Sequence, residues 1–480
     1  MKPIAFIICL LAGCSFGFSQ ESVWITGTLA NFGEQEIKVN FTDNFVSNES
    51  KIYQTTSDEN GNFALEVPLR GPQTAAIHFG KRRKGMVFIP GDTIKVQFDD
   101  LRYDETVVYQ GQSVAEIMYY SKFWAVFYSD SARKELRENI EQMDPIAHPA
   151  FLLNVLKAKE AFLEAYHQEH GIAEFFRTEE MNNYRYGFAR DCYVFESMYQ
   201  YRRSQDSTGT MAPLPGTYYD FLAEVSLENE EALSNSEVYP QFLHMYLSHK
   251  YRELFKDIDQ TRGTAVNPSA LILRRIEMAK LLFSGKIEDF LVAGLIKAGI
   301  ENVSFDLVKE EYETFLAGDA DGAYKDAIRK AQEARAHLQP GRAAPAVTLS
   351  GLSGEKISLG DYRGKVVYID FWASWCGPCI KEIPAAKELS ETFSTGEDVV
   401  FLNISLDKKE SDWKNAIDKY SPHGIQAIAD TEESDIIKAY SIRGIPRYFL
   451  VNPDGTIADP DAPRPSQKEE VIAAIRKALK

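Results

Sequence analysis

Cysteine is scarce in this chain, with five residues among 480. A disulfide-stapled secreted scaffold needs many paired cysteines, so that class of protein is excluded. Two of the five fall within the first twenty residues, and the others are Cys192, Cys376 and Cys379. Exported proteins often use several disulfides for stability, whereas here only Cys376 and Cys379 form a plausible pair, which favours a catalytic pair over a structural one. Cys192 lies in a helical pattern and is interpreted as a buried small hydrophobe rather than a third redox centre.

The chain also has fewer basic residues than acidic ones. The 53 Lys and Arg residues face 70 Asp and Glu residues, which gives a formal net charge of -17. Nucleic acids and anionic lipid surfaces both attract basic proteins. We therefore expect no nucleic-acid partner and no electrostatic binding to a membrane.

Long apolar runs are missing after the first twenty residues, so no membrane span is expected. Those twenty read MKPIAFIICLLAGCSFGFSQ, and their single Lys and short apolar run predict a secretory signal over 1–19. Two processing routes are open. Leu11–Cys14 matches a bacterial lipoprotein signal, which would leave a lipid anchor on Cys14, whereas Gly17 and Ser19 allow ordinary cleavage. On either route we expect a protein of the periplasm or cell envelope.

Reactive chemistry is concentrated in Val366–Pro384, which reads VVYIDFWASWCGPCIKEIP. An apolar β-run delivers a CxxC pair to the start of an amphipathic helix. The thiolate is the reactive form of cysteine, and the free N–H groups and dipole of a helix N-terminus lower the pKa of a thiol there. Cys376 is therefore the candidate nucleophile. Cys379 lies one turn later on the same face, within reach of a mixed disulfide at Cys376, and is the candidate resolving cysteine.

Three neighbours of the nucleophile are candidates for contact with the substrate. Pro378 suits a first helical turn, where its missing N–H costs nothing, and Gly377 lets a partner backbone come close. Trp375 stands directly before Cys376. We expect its side chain to cover the site and contact the partner.

Paired cysteines also bind zinc, but a closed structural zinc site needs four ligands, and no second CxxC or close Cys/His pair accompanies this one. We therefore predict no metal. No cofactor is implied either, because the dithiol itself carries the electrons. A peroxidatic cysteine of the peroxiredoxin type is disfavoured, because its Pro-x-x-x-Thr-x-x-Cys pattern is broken by Ile369 and Ala373.

With these motifs, the segment 339–480 resembles the thioredoxin-like thiol-disulfide oxidoreductases of the TlpA/ResA type found in bacterial envelopes. Ala344–Lys365 is similar to the hairpin that this family adds before its first core strand. Asp370 matches the buried acid that takes a proton from the resolving thiol, and Glu382 matches an acid of the ResA type. A buried carboxylate with a raised pKa can move a proton near neutral pH. The alternative for Glu382 is an ordinary solvated helix residue.

The same resemblance identifies Gly444-Ile445-Pro446 as the loop that carries the thioredoxin cis-proline opposite the disulfide. It implies that the backbone of Ile445 pairs with an extended substrate strand, so that many sequences are accepted. The family usually has a small hydroxyl residue after the proline, where this chain has Arg447, with Arg443 nearby. We interpret one of these cations as stabilising the nucleophilic thiolate or attracting an acidic partner. The alternative is that both form ordinary surface salt bridges.

A length of 480 residues suggests about three domains. Apolar residues alternate with period two over 20–112, which predicts an antiparallel β-sandwich. Over 113–338 the pattern turns helical, with aromatic residues at core spacing, and predicts an all-α middle region. The segment 339–480 alternates strands and helices, as an α/β thioredoxin fold does. The clearest helical stretches of the middle region are His148–His167, Tyr218–Leu233, Ser269–Phe283 and Val308–Phe315.

The pattern of the last segment predicts further elements after the cysteine pair. A strand is expected over Val399–Ile404, a helix over Glu410–Tyr420, a strand over Tyr448–Val451 and a last helix around Ser466–Leu479. Asp407 falls in a loop between the first two. The sequence assigns it no chemistry.

Together these features predict an exported enzyme that reduces disulfides of envelope proteins by dithiol-disulfide exchange. The thioredoxin-like dipeptide Gly377-Pro378 and Ile445 before the proline favour the reducing direction. The same residues would serve a disulfide oxidant or isomerase. A partner-binding or scaffold protein with a secondary redox domain is a further alternative, because the region before 339 makes up most of the chain. The resemblance also implies a membrane thiol reductase as electron donor.

Overall fold

A computed structural model describes residues 21–42, 46, 50–69, 71–131, 133–134, 145–206, 208–262, 268–393, 398–429 and 433–480. The predicted signal over 1–19, with its Cys14, lies outside them. The chain divides into two compact units, Met1–Tyr246 and Leu247–Lys480. Within the described ranges, no helix is both long and apolar enough to cross a bilayer.

The first unit begins with two four-stranded sheets. Their strands are β1 (Glu21–Ala30), β2 (Glu36–Thr42), β3 (Ser50–Thr56), β4 (Asn62–Leu69), β5 (Gln73–Phe79), β6 (Arg82–Phe88), β7 (Thr93–Asp99) and β8 (Val108–Gln110). The strand orders are β4-β1-β7-β8 and β3-β2-β5-β6. Inward residues of both sheets, among them Val23, Val39 and Val96, belong to one apolar core. The sandwich arrangement of the two sheets stays a prediction.

The prediction that all these strands are antiparallel is wrong for one pair. Strand β1 pairs with β4 in the antiparallel sense, but its other neighbour, β7, runs parallel to it. Alternation of apolar residues specifies which face of a strand is buried. It does not specify the direction of the neighbouring strand, so the sequence pattern could not reveal a mixed sheet.

Helices follow the strands in the first unit. Those described are α1 (Tyr103–Thr106), α2 (Val114–Phe127), α3 (Ala147–His170), α4 (Glu174–Gln205), α5 (Ala232–Asn235) and α6 (Tyr239–Arg262), with 3-10 helices at Asp100–Arg102 and Gly216–Glu224. The aromatic residues form a core, as predicted. The buried ring of Tyr119 contacts those of Phe123, Tyr166 and Phe176.

The continuous helix predicted over Tyr218–Leu233 is wrong. A 3-10 helix ends at Glu224, and an α-helix resumes only at Ala232. Two carbonyl groups in the interval accept hydrogen bonds from tyrosine side chains of neighbouring helices, that of Ser226 from Tyr186 and that of Leu227 from Tyr239. These contacts replace the backbone bonds that a continuous helix would make.

The second unit starts within α6 and continues with a helical segment. Its helices are α7 (Pro268–Leu282), α8 (Gly285–Asn302), α9 (Phe305–Ala317) and α10 (Gly322–Arg335), followed by a 3-10 helix at Ala336–Leu338. Helix α8 packs against α7, α9 and α10. Its buried residues, which include Phe290, Leu291 and Ile296, lie on more than one face, as in a helix enclosed by others.

The rest of the second unit is a seven-stranded mixed sheet flanked by helices. The strands are β9 (Leu349–Gly351), β10 (Lys356–Ile357), β11 (Val366–Trp372), β12 (Val399–Ser405), β13 (Ile425–Ala429), β14 (Arg447–Val451) and β15 (Ile457–Asp459). Their order is β10-β9-β13-β12-β11-β14-β15. Strands β9 and β10 form the hairpin that the family resemblance implies within Ala344–Lys365.

Helices α11 (Gly377–Thr392), α12 (Glu410–Tyr420), α13 (Glu433–Ala439) and α14 (Lys468–Ala478) and a 3-10 helix at Leu359–Tyr362 complete the thioredoxin-like domain. The elements predicted after the cysteine pair are confirmed. Central strand β11 is buried on both faces, with Ile369 and Phe371 in one apolar core and Val366 and Tyr368 in another. Its C-terminal end is thereby fixed, and the cysteine pair follows directly.

Candidate active site

The cysteine pair lies where β11 passes into α11. Cys376 and Cys379 form a disulfide, and each side chain is at most 4% exposed. The Cys376 sulfur accepts a hydrogen bond from the backbone N–H of Cys379 at 3.2 Å, so it caps the N-terminus of α11. A sulfur in this position receives N–H groups that have no partner within the helix. The same groups would stabilise the Cys376 thiolate in the reduced protein.

The residues predicted to contact substrate lie next to the buried disulfide in sequence and are exposed to solvent. Trp375 is 67% exposed, and Gly377 and Pro378 are also exposed. A β-carbon placed on Gly377 would meet no atom within 4 Å apart from its immediate neighbours, so the space above it is open. A partner backbone can approach the disulfide there.

The disulfide is part of a small buried apolar cluster. It contains both cysteines together with Trp372 and Trp413, and the partly buried side chain of Ile445 packs against it. The peptide bond between Ile445 and Pro446 is cis, as the resemblance implies. The cis-proline loop therefore lies beside the redox pair.

The two candidate proton carriers lie close enough to interact electrically. On β11, Oδ1 of Asp370 is enclosed and has no hydrogen-bond partner among the described residues. Burial, and secondly the charge of Glu382, raises the pKa of Asp370 to about 8. Glu382 is half-buried on α11 and accepts hydrogen bonds from the backbone N–H of Ser466 at 2.9 Å and from its hydroxyl at 3.0 Å. Glu382 is thus held in place beside Asp370.

Asp407 fixes the loop that precedes Cys376 through hydrogen bonds, a role that the sequence analysis missed. Its buried carboxylate accepts hydrogen bonds from the backbone N–H of Ser374 at 2.9 Å and from its hydroxyl at 2.7 Å. Ser405 donates a third at 2.8 Å. The sequence did contain a signal for this role. Asp407 lies just after β12, and because β11 and β12 are parallel neighbours, their C-terminal ends lie at the same edge of the sheet.

Arg447 is placed at the site, but its guanidinium already has partners. It pairs with Asp461 and donates to the carbonyl oxygen of Asn302, the last residue of α8, at 2.9 Å. Asp461 also pairs with Arg335 at 3.2 Å, and that guanidinium donates to the carbonyl oxygen of Ile300. The cluster joins the helical segment to the redox domain. Burial lowers the pKa of Arg447 to about 9, so it stays charged at neutral pH. The predicted effect of this cation on the thiolate stays a prediction.

Arg443, on the other side of the cis-proline, is more exposed and pairs with Glu301 at 3.2 Å. Both arginines of the loop thus contact the C-terminal end of α8. Among the described residues, no three His, Cys, Asp or Glu side chains come together as metal ligands would.

Known proteins match the part of the chain that holds this site. A family model described as the AhpC/TSA family matches residues 340–459. A thiol-disulfide oxidoreductase ResA from Bacillus cereus is 34% identical over 122 residues, which span 25% of this chain and 69% of that protein. The chain belongs to the ResA family of thiol-disulfide oxidoreductases.

Other members and relatives align with the same ResA-type domain. The thioredoxin-like protein YneN of Bacillus subtilis (strain 168) is 32% identical over 131 residues, 25% of this chain and 71% of that protein. The thioredoxin domain of a thiol-disulfide oxidoreductase from Bacteroides vulgatus is 30% identical, with 30% of this chain and 99% of that one covered and a TM-score of 0.27. The enzyme is a thiol-disulfide oxidoreductase whose ResA-type domain follows a long N-terminal region.

The raised pKa of Asp370 makes stability depend on pH. The folded protein keeps this proton up to pH about 8, whereas an ordinary carboxyl group loses it near 3.8, so wild-type stability falls as pH rises between these values. In Asp370→Asn this loss is removed. We expect the free energy of unfolding of the variant, relative to that of the wild type, to rise by up to about 1.4 kcal/mol per pH unit. Urea unfolding of the oxidised proteins at pH 5, 6.5 and 8 measures this difference. The exposed Asp418→Asn should show no such trend, and a gain equal at all three values would contradict the assignment.

The bracing role of Asp407 predicts a stability effect centred on the active-site loop. Asp407→Ala leaves the Ser374 N–H and the Ser405 hydroxyl without their acceptor, and should lower the free energy of unfolding by about 2 to 3 kcal/mol. Asp407→Asn, which keeps one acceptor oxygen, should lose less. Urea unfolding followed by tryptophan fluorescence measures this, because Trp372 and Trp413 adjoin the site. The exposed Asp398→Ala is the control, at about 0.5 kcal/mol or less. Equal losses for Asp407→Ala and the control would refute the role.

Proposed function

We propose that this enzyme works outside the cytoplasm and reduces disulfides of cell-envelope proteins. The observation that carries thiol-disulfide exchange is the capped Cys376 sulfur, which makes Cys376 the nucleophile. The reducing direction is supported by the thioredoxin-like Gly377-Pro378 dipeptide and by Ile445 before the cis-proline. The envelope location is supported by the predicted signal over 1–19.

In this proposal the Cys376 thiolate attacks one sulfur of the substrate disulfide. A new disulfide forms between Cys376 and the substrate, and the other substrate sulfur leaves as a thiolate. Cys379 then gives up its proton and attacks the Cys376 sulfur, which releases the reduced substrate and restores the internal disulfide.

Proton transfer in the second step is assigned to Asp370. A carboxyl group with a pKa of about 8 exchanges protons readily with a thiol at neutral pH. Burial is the main cause of this raised pKa, and the charge of Glu382, which Ser466 holds in place, adds to it. We thus give Glu382 a tuning role and Asp370 the proton.

The direction of electron flow predicts a reduction potential. We expect the Cys376–Cys379 couple to equilibrate with thiol buffers near the value of thioredoxin, about -270 mV. Cys192→Ala should leave the potential unchanged, since Cys192 is fully buried in the first unit. A value near -120 mV, typical of a strong oxidant, would replace the reductase proposal with disulfide formation or isomerisation.

The partners can be captured as mixed disulfides. Cys379→Ser removes the resolving sulfur, so substrates and the proposed membrane thiol reductase should stay linked to Cys376 in cells. Cys376→Ser serves as the matched control and should trap nothing at this site. Diagonal gels under non-reducing and reducing conditions, followed by mass spectrometry, identify the captured proteins. Capture confined to cytoplasmic proteins would refute the envelope location.

A further inference from the structure

A groove of about 410 Å³ lies beside the cis-proline within the second compact unit. One wall comes from the redox domain and includes Pro446, Tyr448 and Ala462. The other comes from the helical segment that precedes it, with Leu271 on α7 and Val303 directly after α8. A surface of the enzyme beside its cis-proline is therefore shaped by residues outside the thioredoxin-like domain.

The wall that the helical segment contributes is aliphatic and favours an apolar guest. The groove as a whole also has polar residues, among them Arg464, Gln467 and Glu470 of the redox domain. Its buried charges, Arg447 and Asp461, are already paired with each other, and Arg447 also donates to the Asn302 carbonyl. A charged ligand would therefore find these two groups occupied. The aliphatic side chains of Leu271, Ile272 and Val303 are partly exposed in the groove and have apolar surface left to cover.

The groove and the redox site contact neighbouring residues of the cis-proline loop. Ile445 packs against the cluster that holds the disulfide, whereas Pro446, the next residue, lines the groove. Consider a substrate polypeptide that pairs with the backbone of Ile445 while Cys376 attacks its cysteine. Such a polypeptide would extend over the groove. The groove has room for more than one amino-acid side chain.

We propose that the groove binds an apolar side chain of the substrate polypeptide, close in sequence to the cysteine under attack, and that Leu271 selects for it. This inference rests on the proposed function, because it takes a protein disulfide as the substrate. The helical segment then acts as a specificity element of the redox domain, and the enzyme prefers disulfides with apolar flanking residues.

Two peptide probes test the preference. Each carries one cysteine in a mixed disulfide with a coloured aromatic thiol, and the flanking residues are leucine in one and glutamine in the other. The Cys376 thiolate of full-length Cys379→Ser protein attacks the peptide sulfur; the Cys376–peptide disulfide forms, the bond to the aromatic sulfur breaks, and the aromatic thiolate leaves because its pKa is low. One thiolate is consumed and one is released. The appearance of colour gives the capture rate.

We expect the leucine peptide to be captured about tenfold faster than the glutamine peptide. Leu271→Trp, which fills the groove, should bring this ratio close to one, and Leu271→Ala should lower it in the same direction. The matched control is Leu281→Trp on the same helix, where the leucine is 78% exposed and outside the groove; it should keep the wild-type ratio.

A ratio of one in the unmodified background would overturn the inference, and so would a tenfold ratio that survives both Leu271 variants. If Leu271→Trp does not fold, as judged by circular dichroism, Leu271→Ala decides. Capture at Cys376 occurs whichever way electrons flow overall. An oxidising reduction potential would therefore refute the reductase proposal while leaving the capture ratio to decide on the groove.

Discussion

The hydrogen bond from the Cys379 amide to the Cys376 sulfur is the interaction around which this enzyme is built. It places the sulfur at the end of a helix, where backbone N–H groups lack internal partners and favour negative charge. Strand β11, buried on both faces, holds one side of this turn, and Asp407 holds the loop between them. The reactive position is therefore set by rigid backbone before any substrate arrives.

Charges near the site are arranged so that one of them is left without a partner. The arginines of the cis-proline loop are engaged, Arg447 with Asp461 and Arg443 with Glu301. Glu382 is tied to Ser466. Asp370 alone among these acids has an enclosed oxygen with no hydrogen-bond partner in the described structure, and it faces a like charge. An unsatisfied buried carboxyl group is costly to keep, and such costs are typical of groups that exchange protons.

Local patterns in the sequence were sufficient for the CxxC helix start and most strands and helices of the redox domain, because neighbouring residues determine them. The hairpin was implied by the family resemblance. The cis-proline came from family resemblance. What could not be predicted depends on residues distant in sequence. The parallel pairing of β1 with β7, the bonds of Asp407 to Ser374, and the sharing of Asp461 by Arg335 and Arg447 join positions that no short pattern connects. In the same way, the break after Glu224 arises from tyrosines on other helices.

The end of α8 has a consequence for how this enzyme can be recombined. Its final carbonyl groups, from Ile300 and Asn302, are bound by two buried guanidiniums, Arg335 and Arg447. Only Arg447 belongs to the segment 339–480 that matches the smaller relatives. A gene fusion that transferred this segment by itself would keep the pair of Arg447 with Asp461 but would lose the Asn302 carbonyl and Arg335. Breaking up a buried charge cluster is destabilising. The helices from Leu247 onward and the redox domain should therefore be transferred together in any fusion.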